Sequence, residues 1–287
     1  MVTGFKELDK LINLNKPELI LLSGRHFIDM LSGDIANNIM LKQDDEKYIH
    51  NVLEVVDSKK EYLIKRIFVN ESNVNYKKWT LKNQYTAEEL KQIGQATVNL
   101  IEVTKRLPTI IEQEDIYMYD LKKLTKYIRE YANHYADREP IYTLIILDVL
   151  PLNRNDFRKI KTKNIKRNIR RKMDNVRKEI KTIKFVKKVY KISHELNCPV
   201  IIVYGIDNDK VWNREKGKYN FITKEDLFYI NKINKFIDKF VILNNDETAD
   251  IECLSIFDVD VYDRKNKIGS CKLQYNHTYR KFEDYKE

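Results

Sequence analysis

The chain has 287 residues, of which 43% are hydrophobic and 33% are charged, and it carries a formal net charge of +10. This length is enough to bury one large α/β core or two small ones. No apolar run approaches the 18 or more residues of a membrane-spanning helix and no signal peptide precedes the core, so we expect a soluble, cytoplasmic protein with no membrane partner.

The first predicted elements are a short lead-in helix over residues 2–15, a buried strand and a second helix. The strand is the continuous apolar run Leu19–Leu22, bounded by Pro17 and Gly24. The helix is indicated by apolar residues at spacings of three and four, which are Ile28, Leu31, Ile35 and Ile39. A strand that enters a helix through a loop is where nucleotide-binding proteins hold phosphate groups.

This loop, however, lacks the residues that a phosphate loop needs. Such a loop uses glycines for close backbone approach, a lysine for the β- and γ-phosphates, and Ser or Thr for magnesium. Residues 26–31 contain none of these, and Asp29 would bring a negative charge near the triphosphate. The whole chain has only seven glycines, which also disfavours several tight approaches to phosphate.

The middle of the chain alternates between strands and helices. Tyr62–Lys105 is expected to be mostly helical, with Thr86 as the N-cap of its last helix. The other predicted elements here are strand Val52–Val56, a short edge strand Ile116–Tyr119, helix Asp120–Ala136 and strand Tyr142–Leu147.

A strongly basic segment follows over residues 154–188. It holds 16 Lys and Arg against 3 Asp and Glu, a net of +13, so the rest of the chain sums to about −3. Apolar residues at spacings of three or four predict a long amphipathic helix with charges on its other faces. A solvated charged face is one interpretation, but so large an imbalance repels itself unless an anion lies nearby, which favours phosphate binding. We expect the nucleic-acid contacts to come from Arg158, Lys159, Lys163, Lys166, Arg167, Arg170, Arg171, Lys172, Arg177 and Lys178.

The last third of the chain is predicted to be rich in strands. After strand Val200–Val203 we expect a polar loop over Asn208–Gly217 that contains Trp212. We then expect a helix and four alternating strands, at Leu227–Asp238, Lys239–Leu243, Ile251–Val261, Lys272–Tyr275 and Tyr279–Glu283. The five histidines and three cysteines have no metal-ligand spacing, so no metal site is expected.

The order of these segments resembles the motor domain of DnaB-type replicative helicases, a RecA-like ATPase; RadA-like and KaiC-like proteins share its opening motif. Residues 3–11 and 19–25 are similar to the opening of that domain, and Gly24 and Arg25 match the start of its phosphate loop. The Gly-Lys-Thr triad of the family falls here on Asp29, Met30 and Leu31. The family's collar and linker helix precede this point, so the ring-forming device is expected to be absent.

The same resemblance assigns three further positions. The catalytic glutamate of the family falls on Asp57, and the Walker B aspartate falls on Asp148 within LIILDVLPL. The arginine finger that acts on a neighbour's nucleotide falls on Arg264, whereas the nearby family lysine falls on Tyr262. Because the triad is altered, we expect Asp57, Asp148 and Arg264 to be vestigial for catalysis, with no cofactor bound.

The resemblance implies one RecA-like α/β domain over residues 1–287, with a mostly parallel central sheet, helices on both faces, antiparallel C-terminal strands and a basic helical insertion at about 154–188. The expected function is that of a non-catalytic, replication-associated protein that binds DNA backbone, a replicative helicase, or both. Two alternatives remain open. One is a divergent NTPase that uses Arg25 or a lysine of the basic helix, and the other is a scaffold subunit without a nucleic-acid role.

Overall fold

The structure is a computed structural model, which describes residues 1–24, 27–41, 49–56, 60–81, 85–103, 109–112, 126, 129–130, 141–147, 180, 182–206, 212–213, 218–219, 221–224, 227, 230–245 and 254–286. Its helices are α1 (Lys6–Asp9), α2 (Ile28–Leu41), α3 (Lys60–Ser72), α4 (Tyr76–Leu81), α5 (Ala87–Val103), α6 (residues 182–195) and α7 (Ile230–Ile233), which a 3₁₀ turn, Asn234–Phe236, extends. Its strands are β1 (Leu19–Gly24), β2 (Ile49–Val56), β3 (Thr109–Glu112), β4 (Ile141–Leu147), β5 (Val200–Gly205), β6 (Trp212–Asn213), β7 (Lys218–Tyr219), β8 (Lys239–Asn245), β9 (Leu254–Tyr262), β10 (Lys267–Asn276) and β11 (Lys281–Asp284).

Nine strands form one sheet in the order β11-β10-β9-β8-β1-β5-β4-β2-β3. The six strands from β8 to β3 run parallel to one another, whereas β9, β10 and β11 are antiparallel to their neighbours. Strands β6 and β7 make a separate antiparallel pair. The predicted α/β class, with a mostly parallel sheet and antiparallel C-terminal strands, is confirmed.

Both faces of the central sheet are covered, which explains why the central strands β1 and β5 contain continuous apolar runs. Successive side chains of a strand point to opposite faces. Leu19 and Leu21 accordingly pack with Phe185, Val189 and Ile192 of α6 on one face. On the other face, Ile20 and Leu22 pack with α1, with α2 and with the C-terminal strands.

Most predicted elements have counterparts in the structure. The four apolar residues that predicted α2 are all at most 6% exposed. Thr86 caps α5 as expected, because its hydroxyl accepts a hydrogen bond from the Glu89 N–H and its own N–H donates to the Glu89 carboxylate. This reciprocal pair is a capping box. The strand predictions at Leu19–Leu22, Tyr142–Leu147 and Lys239–Leu243 are likewise confirmed.

Three predictions of local structure need correction, and one strand was not predicted. The lead-in helix is only one turn long, because Gly4 adopts a positive φ of 84° and Thr3 donates to the Asp9 carboxylate. The helical part of Leu227–Asp238 begins only at Ile230 among the described residues. The expected polar loop contains the short strand β6. Strand β3 was missed, although it follows Pro108, whereas the predicted edge strand Ile116–Tyr119 lies outside the described residues.

Candidate functional site

The carboxyl ends of β1, β5 and β8 meet at one edge of the sheet. Strand β1 lies between β5 and β8, and all three run in the same direction. In open α/β sheets, ligands bind in the crevice outside the carboxyl ends of the strands, where the strand order reverses. This carboxyl edge, which contains Gly24, is therefore the position at which a nucleotide would be sought.

Ile28 covers this part of the edge with an apolar side chain. The residue is 6% exposed. A Cβ placed on Gly24 would lie 2.6 Å from Ile28 Cγ2 and 2.9 Å from the Leu243 carbonyl oxygen. A Cβ placed on Gly205 would lie 3.9 Å from Ile28 Cδ1. Glycine at position 24 therefore allows a close approach of protein atoms, with the Ile28 side chain seated between the ends of β1 and β5.

Phe27 turns the loop toward the C-terminal strands. Its φ is 60°, in the left-handed region that large side chains rarely adopt. Its ring lies 4.5 Å from the ring of Tyr275 and 5.7 Å from those of Phe257 and His277, measured between centroids. The Phe27 carbonyl oxygen then accepts the N–H of Leu31, which begins α2. The aromatic contacts thus hold the unusual backbone conformation in place.

Asp29, Met30 and Leu31, the positions that align with the family triad, come directly after Ile28 in the first turn of α2. The carbonyl oxygen of Asp29 accepts from Arg66 Nη1 at 3.5 Å, and the same nitrogen lies 3.0 Å from Met30 Sδ. Leu31 is fully buried in the core. The structure therefore brings Gly24, Asp29, Met30 and Leu31 to one end of the sheet, but Leu31 faces the interior.

Arg66 is a buried residue that sequence reasoning did not single out. It is 2% exposed, and its Nη2 lies 3.8 Å from the carboxylate of Asp34. That carboxylate also accepts from Asn70 Nδ2 at 3.0 Å and from the N–H of Phe282 at 2.7 Å. Asp34 and Arg66 therefore connect α2, α3 and β11. Arg66 directly follows Lys65 in a charged stretch, so no sequence pattern distinguishes it from a surface cation.

Arg264 lies at the opposite, amino edge of the sheet, in the turn between β9 and β10. Its Nη2 is 2.7 Å from Asp238 Oδ1 and 3.5 Å from the Tyr190 hydroxyl, and its Nε donates to the Ile237 carbonyl oxygen. The hydrogen bond to Tyr190 and the charge of Asp238 raise the pKa of the guanidinium. The side chain is still 43% exposed.

A buried lysine and a carboxylate within the turn hold the backbone of this turn in place. Lys224 is 7% exposed, and its Nζ donates to the carbonyl oxygens of Asp263 and Arg264 at 3.0 and 2.6 Å. The Asp263 carboxylate accepts the N–H groups of Lys265 and Asn266, which lowers its pKa. Strand β8 has seven residues between the two edges, so Arg264 lies on the order of 20 Å from Gly24 and cannot reach its own crevice.

The remaining predicted site residues lie outside the described residues. These are Arg25, Asp57 and Asp148, together with the ten basic residues from Arg158 to Lys178. Their roles therefore stay predictions. Among the residues that the structure does describe, no group of three His, Cys, Asp or Glu side chains converges as a metal site requires. Within the same part of the chain, no helix is long and apolar enough to cross a membrane.

The model of one protein family, the DnaB-like helicase C terminal domain, matches residues 1–284. Among solved structures, the chain is similar to an ATPase domain, with 16% identity and a TM-score of 0.70 over 99% of this chain and 90% of that one. It is equally similar to a DnaB-like replicative helicase whose structure describes its interactions with primase, at 16% identity and a TM-score of 0.70, but it spans only 61% of that chain. A KaiC-like protein from Pyrococcus horikoshii matches at 11% identity and a TM-score of 0.55, over 100% of this chain and 98% of that one. No curated protein sequence matches the chain.

Proposed function

Because the chain belongs to the DnaB-like helicase C-terminal domain family, we propose that it is a non-catalytic relative of the replicative helicase motor. In this proposal the chain binds the DNA backbone, docks on a replicative helicase, or does both, and it turns over no nucleotide itself. Relationship to the replication helicases is the part that the family establishes. The loss of ATPase activity, the DNA contact and the helicase partner are the parts that need experiments.

The observation that carries the proposed loss of activity is the composition of the crevice at the carboxyl edge. Asp29, Met30 and Leu31 supply neither a cation nor a hydroxyl group at the start of α2. Ile28 supplies an apolar side chain beside Gly24. A charge-assisted hydrogen bond to phosphate contributes roughly 1.5–3 kcal/mol, so the loss of two such contacts weakens binding by roughly 10²- to 10⁴-fold.

Titration of a fluorescent ATP analogue in the presence of magnesium tests this part of the proposal. We expect no saturation at micromolar nucleotide and no phosphate release. The matched control is Asp148→Asn, which removes the carboxylate that aligns with the Walker B position. Micromolar binding by the wild-type chain that disappears in Asp148→Asn would instead favour the divergent NTPase.

The proposed DNA contact rests on the basic segment over residues 154–188, whose net charge is +13 by sequence. We expect Lys166→Glu, Arg167→Glu, Arg170→Glu and Arg171→Glu together to weaken binding on all duplex sequences alike. If the four side chains neutralise about four phosphates, log K of the wild-type chain should fall with log salt at a slope near −3.6. Binding that is insensitive to salt, or normal binding by the quadruple variant, would indicate that the segment is a solvated or protein-binding face and not a DNA-binding one.

A control for that variant must reverse the same number of charges elsewhere. Four exposed lysines outside the basic segment are suitable: Lys10, Lys16, Lys232 and Lys235. If their replacement by Glu weakened DNA binding equally, the effect would reflect the net charge of the chain and not the basic segment.

The proposed helicase contact involves Arg264. Since this residue lies on the order of 20 Å from its own crevice, any nucleotide that it approaches belongs to a neighbouring subunit. Docking would require its ion pair with Asp238 to open. Tyr262 replaces a family lysine nearby, so one of two cationic contacts is missing from a shared site, and electrostatic stabilisation dominates phosphoryl transfer.

We therefore expect the wild-type chain to lower the steady-state ATPase rate of its cognate replicative helicase. Arg264→Ala should lower the rate further, because the second cationic contact is then also lost. Lys265→Ala, an exposed neighbour in the same turn, serves as the control and should behave as wild type. If neither chain changes the rate and no complex elutes together in gel filtration, Arg264 has no role in a neighbouring subunit.

A further inference from the structure

A second group of cations lies on the surface where the β10–β11 turn meets the junction of α3 and α4. The N–H of Tyr76 donates to the carbonyl oxygen of Thr278 at 3.0 Å. Lys281 Nζ donates to the Asn73 side chain at 2.9 Å. These contacts join segments that are some 200 residues apart in the chain, so no sequence pattern could have indicated this surface. We name it the turn patch and define it by Lys65, Tyr76, Lys77, Tyr279, Arg280 and Lys281.

The turn patch places cations on and beside aromatic rings. The Arg280 guanidinium carbon lies 3.7 Å from the centroid of the Tyr76 ring, and Lys65 Nζ lies 5.9 Å from the same centroid. Lys281 Nζ lies 5.6 Å from the centroid of Tyr279 and 3.1 Å from the Glu283 carboxylate. Lys77, next to Tyr76, is exposed. The four cations of the patch, taken together with this carboxylate, carry a net charge of +3.

The backbone at the centre of the turn patch indicates that the Arg280 side chain matters for more than folding. Arg280 has a φ of 52° and Asn73 has a φ of 51°. Asparagine enters this left-handed region readily, whereas a long side chain does so rarely and glycine would do so without strain. Strained backbone of this kind tends to occur at functional positions, where the side chain is needed. Glycine at position 280 would remove the cation that covers the Tyr76 ring.

We propose that the turn patch binds the sugar–phosphate backbone of a single nucleic-acid strand. Phosphate groups would contact the cations, and unpaired bases would stack on the exposed parts of the two tyrosine rings. Cations combined with aromatic rings are typical of single-strand binding, whereas the basic segment over residues 154–188 has few aromatic residues. The turn patch and Arg264 also lie at opposite edges of the sheet, since β10 begins near Arg264 and ends near Tyr279. The inference rests on the proposed function for the identity of the ligand class, but not on the basic segment.

The test measures the salt dependence of binding to a fluorescein-labelled 30-nucleotide poly(dT) strand by fluorescence anisotropy. The variant Lys77→Gln/Arg280→Gln removes two cations. We expect the slope of log K against log salt to become shallower by about 1.4, and the affinity at 0.1 M salt to fall about 25-fold. Binding to a 30-base-pair duplex should change less than twofold. The matched control is Lys16→Gln/Lys235→Gln, which removes two exposed cations at the amino edge and should bind both DNAs as wild type.

Three results separate this inference from the proposed function. If Lys77→Gln/Arg280→Gln binds the single strand like the control while the quadruple Glu variant of the basic segment binds DNA more weakly, the turn patch does not bind DNA and the proposed function stands. If the quadruple variant binds DNA normally and the double variant binds the single strand more weakly, the turn patch is a DNA-binding site and the basic segment is not. If the wild-type chain binds neither the single strand nor the duplex, both proposed DNA contacts are wrong. If Arg280→Gln lowers the Tm, the single variant Lys77→Gln, which changes an exposed residue, tests the proposal instead. Its slope of log K against log salt should become shallower by about 0.7.

Discussion

The buried pair of Arg66 and Asp34 should contribute more to the stability of this fold than a surface pair at shorter distance. Replacing Arg66 by Met keeps an unbranched apolar stem of similar reach but removes the guanidinium charge that lies 3.8 Å from the buried Asp34 carboxylate. Breaking a buried ion pair by removing one partner costs about 3–5 kcal/mol. We expect the lower end, about 3 kcal/mol, because the pair is separated by 3.8 Å and Asp34 keeps its hydrogen bonds from Asn70 and Phe282. Urea unfolding measures this loss, as a midpoint lower by about 1 M if the m-value is near 3 kcal/mol/M.

A double-mutant cycle and a surface control test the reasoning. Asp34→Asn removes the carboxylate charge in the Arg66→Met background, so the double variant should lose clearly less stability than the sum of the two single variants. Lys10→Met breaks the Lys10–Glu7 pair, whose atoms are only 2.6 Å apart but whose side chains are 67% and 58% exposed. It should cost less than about 0.5 kcal/mol. Additivity of Arg66→Met and Asp34→Asn to within about 0.5 kcal/mol would refute the idea that the two residues stabilise each other.

Three further predictions concern Gly33, which lies against Arg66, and two positions elsewhere in the fold. A Cβ on Gly33 would lie 1.7 Å from Arg66 Nη2, so Gly33→Ala should destabilise the chain by about 1–3 kcal/mol in urea unfolding. Burial raises the pKa of Glu18, so the folded state holds a proton that the unfolded state releases, and stability falls as the pH rises from the unfolded pKa through the folded one. Glu18→Gln should accordingly raise the Tm at pH 7 and leave it unchanged at pH 3.5, and an equal gain at both pH values would contradict this cause. Asn244 exchanges two hydrogen bonds with the backbone of Ile222, so Asn244→Ala should cost about 2–4 kcal/mol, whereas a loss below about 1 kcal/mol would mean that water replaces both.

The helices and strands of the sheet were predictable because burial leaves a direct record in the sequence. Parallel strands covered on both faces become continuous apolar runs, as in Leu19–Leu22 and Val200–Val203. Helix α2 was predictable because its buried apolar residues recur at spacings of three and four, although the structure buries every residue from 31 to 39. The shortest elements left no such record. The strands β6 and β7 are examples, because two residues are too few to show a periodicity.

For the candidate site, the sequence could predict which residue types occupy the loop but not which side chains contact one another there. The strand, the loop and the start of α2 could be placed, and so could the absence of a lysine and a hydroxyl at positions 30 and 31. What fills the crevice instead could not be predicted. Neither the seating of Ile28 beside Gly24 nor the contact of Phe27 with Tyr275 can be read from spacing, because β10 approaches the loop only through the pairing of β8, β9 and β10.

The sequence by itself therefore determined the α/β class, the positions of the main buried strands along the chain, and the family to which the chain belongs. Only the tertiary structure decided which side chains share an environment. It placed Arg264 at the edge opposite Gly24, paired Arg66 with Asp34, and assembled the turn patch from residues that are distant in the chain. The physical reason is that periodic burial is a local property, recorded over a few neighbouring residues. Contacts between charges depend instead on strand order and crossover, which bring together residues that are about 30 to more than 200 positions apart.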